Sequence, residues 1–344
     1  MQLGLTDAGL LLLTFVVPLV LLLALMPWFT QYLAKRGRVL DDVHKRPPTK
    51  IPAPVGPLLF AGALIGEIIA YFAFGSLVPL VVISSAAIAF AIGLVDDLFV
   101  LGGKAKPLLL VLAATPLVVV EIFQPNLYQS HLVFPILGSI GEHYSIYALL
   151  VVIALPVVTN AFNMMDSFNG EISGFTLLTS SALFFGVVVR ALADHTFSTA
   201  RVASVLPLVG VSAGFFVFNR YPSRAFDGDS GSLMFGAMFA SLAITGGVEI
   251  AAIIAMIPAI LNSFYTLSSA RGFVERRKMA ARPTRIGEDG RMEASSDPSS
   301  PITLVRLILL AGPLGERDLV MDIYILTTVA CILSCVISVL TWVR

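Results

Sequence analysis

The feature that most constrains this chain is a recurring run of apolar residues. Each run is roughly 17–25 residues long, the length a helix needs to cross a hydrocarbon layer of ~30 Å. The first, from Ala8 to Leu33, holds no charged side chain. Lipid offers the backbone no hydrogen-bond partner, so such runs must be helices. Ten spans are expected, at about 8–33, 54–75, 78–99, 106–122, 146–162, 171–190, 198–218, 232–247, 249–270 and 319–342. Composition agrees: 57% of residues are hydrophobic and 13% charged, against about 45–50% and about 25% in soluble domains. The expected class is all-α, a polytopic integral membrane bundle forming one domain over 1–344. Net charge is zero, which gives no case for a nucleic-acid partner. Residues 1–7 lack a positive charge and the first run exceeds a signal-peptide core, so it reads as a membrane helix.

Orientation follows from Lys and Arg. The alternate loops 34–53, 99–107, 160–171, 219–231 and 271–318 hold 19 of the 22 basic residues, leaving Arg190, Arg201 and Arg344 opposite. The positive-inside rule then places these loops in the cytoplasm and both termini outside. The outward loop 123–145 is expected to form a small hairpin, with His131 and His143 solvated or interfacial. The apolar stretch Ile302–Leu314 is too short to span and reads as an interfacial helix. Cys331 and Cys335, four residues apart in an apolar run, read as packing thiols. Glu67 lies alone inside the second span. An intramembrane acid is a functional candidate by default, but no motif surrounds it, and a packed, hydrogen-bonded or protonated glutamate is expected.

Five polar segments fall in the cytoplasmic loops. Asp96 and Asp97 end a membrane helix together. Such acids are either solvated at a helix end or hold Mg²⁺, which binds carboxylate and phosphate oxygens. Lys106, opening the next helix, is placed to reach a phosphate held by the same metal. Asn160, Asn163 and Asp166 are spaced to share one helix face. They serve as capping groups or as ligands for a metal and a heterocycle, since an amide matches the imide edge of uracil. The segment 221–232, YPSRAFDGDSGS, puts Asp229 and Ser230 at a helix start. There they either cap the helix or leave its amides to phosphate, with Gly228 and Gly231 allowing close approach and Phe226 free to stack on a base. The long basic loop carries Arg271, Arg276, Arg277, Lys278, Arg282, Arg285 and Arg291. Most serve lipid headgroups, and one or two are candidates to clamp a pyrophosphate. The stretch Asp41, Asp42, Val43, His44, Lys45, Arg46, with Pro47, Pro48, Pro52 and Pro54, reads as a short stiff link able to recruit a lipid phosphate.

In this order and topology the motifs resemble the polyprenyl-phosphate N-acetylhexosamine 1-phosphate transferase family over residues 34–330. That family contains the bacterial translocase that makes lipid I and the eukaryotic UDP-GlcNAc:dolichyl-phosphate GlcNAc-1-phosphate transferase. The dolichol branch is the more similar. It has an NAxNxxxxxNG stretch like Asn160–Gly170, a YPSRxFxGD stretch like Tyr221–Asp229, and a GPxxER stretch like Gly312–Arg317. An archaeal member fits, since archaea build N-glycans on dolichol carriers. The resemblance implies ten helices, a cytoplasmic cleft, and transfer of GlcNAc 1-phosphate from UDP-GlcNAc to polyprenyl or dolichyl phosphate, an early step in lipid-linked glycan assembly for protein glycosylation. It implies Mg²⁺, with Mn²⁺ as the alternative, held by Asn163 and Asp229. It implies Asp96 and Asp97 as the essential acid pair and Lys106 on the phosphates. It further implies Asn169 and Phe226 on uridine and Arg282 on the pyrophosphate. Asn160, through its amide, and Lys45, through its charge, are expected as further substrate contacts. Membrane lipids and a homodimer are the other expected partners.

There are departures. Phe162, Met164, Met165 and Asp166 replace the usual aliphatic context. A sugar-contacting glutamate of the dolichol branch falls on Ala53, the bacterial histidine cluster is missing, and Ala280 and Ala281 stand where a histidine precedes the arginine. A different UDP-N-acetylhexosamine donor therefore stays open. A secondary transporter is the rival from another class. It predicts internal repeats and midplane polar sites, and no repeat is visible. A non-catalytic scaffold leaves the acidic, glycine-bearing loops unexplained.

Overall fold

Helices occupy every position where a span was expected. The computed structural model describes residues 5–45, 47–125, 127–129, 131–135, 138–140, 144–194, 198–270, 272 and 281–343. Arg46, His143, Arg271, Arg276, Arg277 and Lys278 lie outside the described residues. In chain order the elements are α1 (Leu5–Lys35), β1 (Val39–Asp42), β2 (Thr49–Pro52), α2 (Gly56–Phe74), α3 (Val78–Phe99), α4 (Ala105–Leu110), α5 (Thr115–Phe123), β3 (Leu132–Phe134) and β4 (Gly138–Ile140). There follow α6 (Tyr144–Met164), α7 (Glu171–Ala193), α8 (Thr199–Asn219), α9 (Gly228–Gly246), α10 (Glu249–Ala255), α11 (Ile257–Ser269), β5 (Thr284–Ile286), β6 (Met292–Ala294), α12 (Leu304–Leu309) and α13 (Glu316–Trp342).

Among the described residues, eight helical stretches are long and apolar enough to cross a membrane, or nine with α10 and α11 counted as one span bent by 67°. The tenth expected position is α9, a helix whose hydropathy is diluted by glycine, serine and Asp229, and every residue from Ser230 to Gly246 is buried. It is the central post of the bundle, packed chiefly against α3 and α6. Small side chains let neighbouring backbones approach closely, which is how helices associate inside lipid. Gly93 of α3 is the clearest case, since an added Cβ would lie 2.4 Å from the Asp229 carbonyl oxygen. The α10–α11 bend falls at Met256, just before Pro258, where a ring replaces the backbone N–H. A 3₁₀ turn at Val111–Ala114, ahead of Pro116, likewise separates α4 from α5.

Among the described residues, three antiparallel hairpins decorate the bundle. The β3–β4 pair bears out the hairpin expected in loop 123–145. The link after α1 is instead a paired hairpin, with Leu40 opposite Ile51 and Asp42 opposite Thr49. The third, β5–β6, carries Arg285 paired with Glu293 at 2.9 Å. The interfacial helix is shorter than expected: α12 has six residues, and it buries Leu304, Val305 and Leu309. Arg306 pins it by donating to the Ser300 and Ser295 carbonyls. Both cysteines are free. Glu67 is fully buried, and among the described residues neither carboxylate oxygen has a hydrogen-bond partner.

Candidate active site

Four helices bring charge together at one end of α9. Lys106 of α4 holds its Nζ 2.5 Å from Asp96 Oδ2 of α3 and 2.8 Å from Asp229 Oδ2 of α9. Asn163, in the last turn of α6, donates through Nδ2 to Asp229 Oδ1 at 2.5 Å and to Ser232 Oγ at 2.8 Å. Asp229 is thus gripped on both oxygens, yet its side chain remains 30% exposed against 7% for Asp96.

Adjacent in sequence, Asp96 and Asp97 have separate tasks. Asp97 accepts the backbone N–H of Asp229 at 2.8 Å and of Ser230 at 3.0 Å. It caps α9 from a different helix, where a negative charge also meets the positive end of the helix dipole. These are the amides that the sequence offered to phosphate, and the carboxylate of Asp97 already fills them. Self-capping by α9 is also corrected. Asp227 occupies the N-cap position and makes no side-chain cap. Its carboxylate is fully buried and, among the described residues, has no hydrogen-bond partner. Burial first, then the charges of Asp166, Asp97 and Asp229, push its pKa well above the usual carboxylate range. Gly228, at φ +72°, carries the chain past this crowd, since a Cβ there would sit 2.7 Å from both Asp97 oxygens.

The donor set suits a hard divalent cation. Two carboxylates and an amide supply oxygens, and a single ammonium leaves the cluster of Asp96, Asp229 and Lys106 with excess negative charge. Asp229, with Asp96 and Asn163, would hold the ion. Asn163 would use its Oδ1, so the amide would turn over from the orientation seen here.

A second polar cluster lies beside the first hairpin. Asn169 donates through Nδ2 to Asp42 Oδ2 at 3.0 Å and to Glu316 Oε1 at 2.5 Å, and its backbone N–H reaches Glu316 Oε1 at 2.9 Å. Lys45 pairs with Asp42 at 2.6 Å and lies over the Tyr221 ring. His44 stacks on Phe168, with centroids 4.4 Å apart. Among the described residues, Asp42, His44 and Glu316 form the one group of three or more acid, histidine or cysteine residues whose ligand atoms lie within 4.8 Å of one another. Lys45 and Asn169 already supply N–H donors to these acids, so the cluster reads as a hydrogen-bonded brace. In front of it, His44, Lys45, Arg282, Arg285 and Asp297 line a cavity of about 580 Å³.

Lys45 and Arg282, distant in sequence, therefore face one cavity. Asn169 is only 2% exposed, behind the turn that bears His44. Phe226 is placed by its backbone, which bonds to Pro52 and Val55, and among the described contacts it does not meet Asn169. Asn160 stands apart, donating only to Met164 Sδ at 3.4 Å; α6 ends at Met164, which takes Asp166 off the shared face. Asp42 and Glu316 were not singled out from sequence. The only signals were the motif that contains Glu316 and the acid pair ahead of His44.

Residues 79–247 match the family model described as glycosyl transferase family 4. A protein of Saccharolobus solfataricus, provisionally named UDP-N-acetylglucosamine–dolichyl-phosphate N-acetylglucosaminephosphotransferase, is 25% identical over 94% of this chain and 98% of its own length. A Sulfolobus acidocaldarius protein of the same provisional name is 25% identical over 96% and 97%. The Dictyostelium discoideum protein named for that activity is 26% identical over 69% of this chain and 62% of its own. The matched segment runs from α3 to the C-terminal end of α9 and so contains Asp96, Asp97, Lys106, Asn163 and Asp229. With relatives aligned along nearly the whole chain, the protein is similar to glycosyl transferase family 4 over that segment, and it is a polytopic membrane enzyme of the sugar-phosphate transferase kind.

Proposed function

We propose that the protein transfers N-acetylglucosamine 1-phosphate from UDP-N-acetylglucosamine to a polyprenyl phosphate of the dolichyl type, releasing UMP, with Mg²⁺ as its metal. The observation that carries this reading is the meeting of Asp96, Lys106, Asn163 and Asp229 from four separate helices. The names of the archaeal and Dictyostelium relatives support the donor and acceptor. The basic residues of the neighbouring loops support a cytoplasmic position for the cluster.

A phosphate monoester has its second pKa near 6, so the acceptor is largely ionised at neutral pH and needs no strong base. Its oxygen attacks the β-phosphorus, the bond to the bridging oxygen breaks, and UMP departs with that oxygen. The difficulty is electrostatic, because both reactants are anions. A bound Mg²⁺ supplies charge neutralisation and orientation there. Lys106 adds a positive charge on the phosphate oxygens. Asp96, beside Lys106, orients the incoming phosphate, while Asp97 holds the start of α9 and with it the Asp229 carboxylate. Lys45 and Arg282 receive the pyrophosphate end of the donor in the cavity. Asn169 and Phe226 serve the base, and Asn160 is peripheral.

The test is UMP release by purified protein given UDP-N-acetylglucosamine and dolichyl phosphate, with and without Mg²⁺. Release that needs both lipid and metal is expected. Release only with another UDP-N-acetylhexosamine keeps the reaction and changes the donor. Folded protein silent with every donor and lipid overturns the reading.

A further inference from the structure

The Asn262 side chain ties α11 to the ends of α6 and α12. Buried on α11, it donates through Nδ2 to the Met164 carbonyl at 2.8 Å and accepts the Leu304 backbone N–H through Oδ1 at 3.0 Å. Met164 is the last residue of α6 and Leu304 the first of α12. The final carbonyls of a helix and its first N–H groups have no partner within the helix. A single amide therefore closes the end of one helix and the start of another. Both of its polar ends are dictated, because a carbonyl only accepts and an N–H only donates.

Each arm leads to a part of the site. Asn163, next to Met164, is the α6 residue that reaches Asp229. If the last turn of α6 frays, Asn163 goes with it. On the other side, Arg306 of α12 donates to the Ser295 carbonyl at 2.9 Å and to the Asp297 carbonyl at 3.3 Å. Ser295 and Asp297 line the cavity. We propose that Asn262 is a positioning residue, a joint that holds the Asn163 end of α6 for the metal and, through α12, the cavity wall for the donor. It touches neither ligand. The inference rests on the proposed reaction and on Asn163 as a metal ligand.

A pair of variants separates the arms. Asn262→Asp keeps an acceptor for Leu304 and loses the donor to Met164. Leu304→Pro removes the N–H at the first helical position, where proline is tolerated, and the extended Thr303 before it suits a proline. Ser269 Oγ also accepts the Ile302 N–H at 2.8 Å, which keeps the segment attached to α11 in both variants. Mn²⁺ binding to the full chain in detergent, followed by the EPR signal of the free ion, reads the first arm without substrate. KM for UDP-N-acetylglucosamine, at saturating lipid and Mg²⁺, reads the second. Asn262→Asp should weaken Mn²⁺ about tenfold and leave KM within about twofold, as for outer partners that orient metal ligands. The added negative charge alone would act in the opposite direction. Leu304→Pro should raise KM about threefold, the scale of one hydrogen bond, with Mn²⁺ affinity within about twofold. If Asn262→Asp does not fold, Asn262→Leu cuts both arms without adding charge and should shift both constants. A lower melting temperature with both constants unchanged would make the joint merely structural and overturn the inference, as would the same constant moving alike in both variants. Wild type that binds Mn²⁺ but releases no UMP overturns the proposed reaction, and the Mn²⁺ titration still decides the α6 arm. Wild type that releases UMP without binding Mn²⁺ keeps the reaction and overturns the inference.

Discussion

At the Asp229 end of α9 charged groups are gripped yet partly open, whereas at the Gly246 end they are sealed. The two ends are about 27 Å apart, given ~1.5 Å per residue. At the second end Arg190 is fully buried, donates to the Gly246 carbonyl at 2.6 Å and lies 4.4 Å from the Trp342 ring centre. Tyr147 donates to Glu249, and Arg201 to the Leu127 carbonyl at 2.7 Å. These interactions close helix ends and hold α6, α7, α9, α10 and α13 together. The first end combines excess negative charge with an Asp229 side chain that stays partly open. Charge buried in a membrane bundle is therefore no sign of a site by itself. The sign is charge whose coordination the protein leaves incomplete.

The comparison can be broken most directly at the open end. Asp229→Ala or Lys106→Ala should lower UMP release about a thousandfold or more, the scale on which charged groups act in phosphoryl transfer, with the melting temperature nearly unchanged. Comparable turnover in either variant would remove the open cluster from the chemistry. The sealed end should behave oppositely. Glu249→Leu strips a partner from Tyr147 and a compensating charge from Arg190. It should cost about 2 kcal/mol, short of the full penalty because Glu249 keeps some exposure, with kcat/KM per folded molecule intact. Thermal unfolding and turnover on one sample decide this.

The acid pair sharpens the contrast within the open end. Asp97→Asn weakens a helix cap and should cost about 1 kcal/mol of stability along with activity, whereas Asp96→Asn should lose activity with little change in melting temperature. Identical behaviour of the two would erase the division between capping and chemistry. The smallest effect is expected at Asn160. Its alanine variant should stay within about threefold of wild type in turnover, as for a residue outside such networks; a larger loss would extend the site along α6.

Much of the architecture was legible because lipid removes the choice. An apolar run of sufficient length has no alternative to helix, and the spans of α2, α3, α7 and α8 were read within a few residues. Asp96, Lys106, Asn163 and Asp229 were also legible, since polar groups at the ends of apolar runs stand out and carry a family resemblance. The hairpins at Val39–Pro52 and Thr284–Ala294 were not, because short polar segments take their pairing from the surface on which they rest. The helix within Ile302–Leu314 was legible, but the six-residue extent of α12 was not, its boundaries being set by contacts with α11 and β6.

By itself the sequence determined the class of the molecule, the positions of its helices and the residue types available for phosphate and metal chemistry, because transfer out of water and ligand chemistry act on each residue in place. Only the tertiary structure decided that Asp97 caps α9 while its neighbour joins Lys106, that α9 is wholly enclosed, and that Asn169 is held between Asp42 and Glu316. Those outcomes depend on the directions in which side chains from distant helices converge. A separation of 127 residues between Asp42 and Asn169, or 147 between Asn169 and Glu316, leaves no local pattern to read.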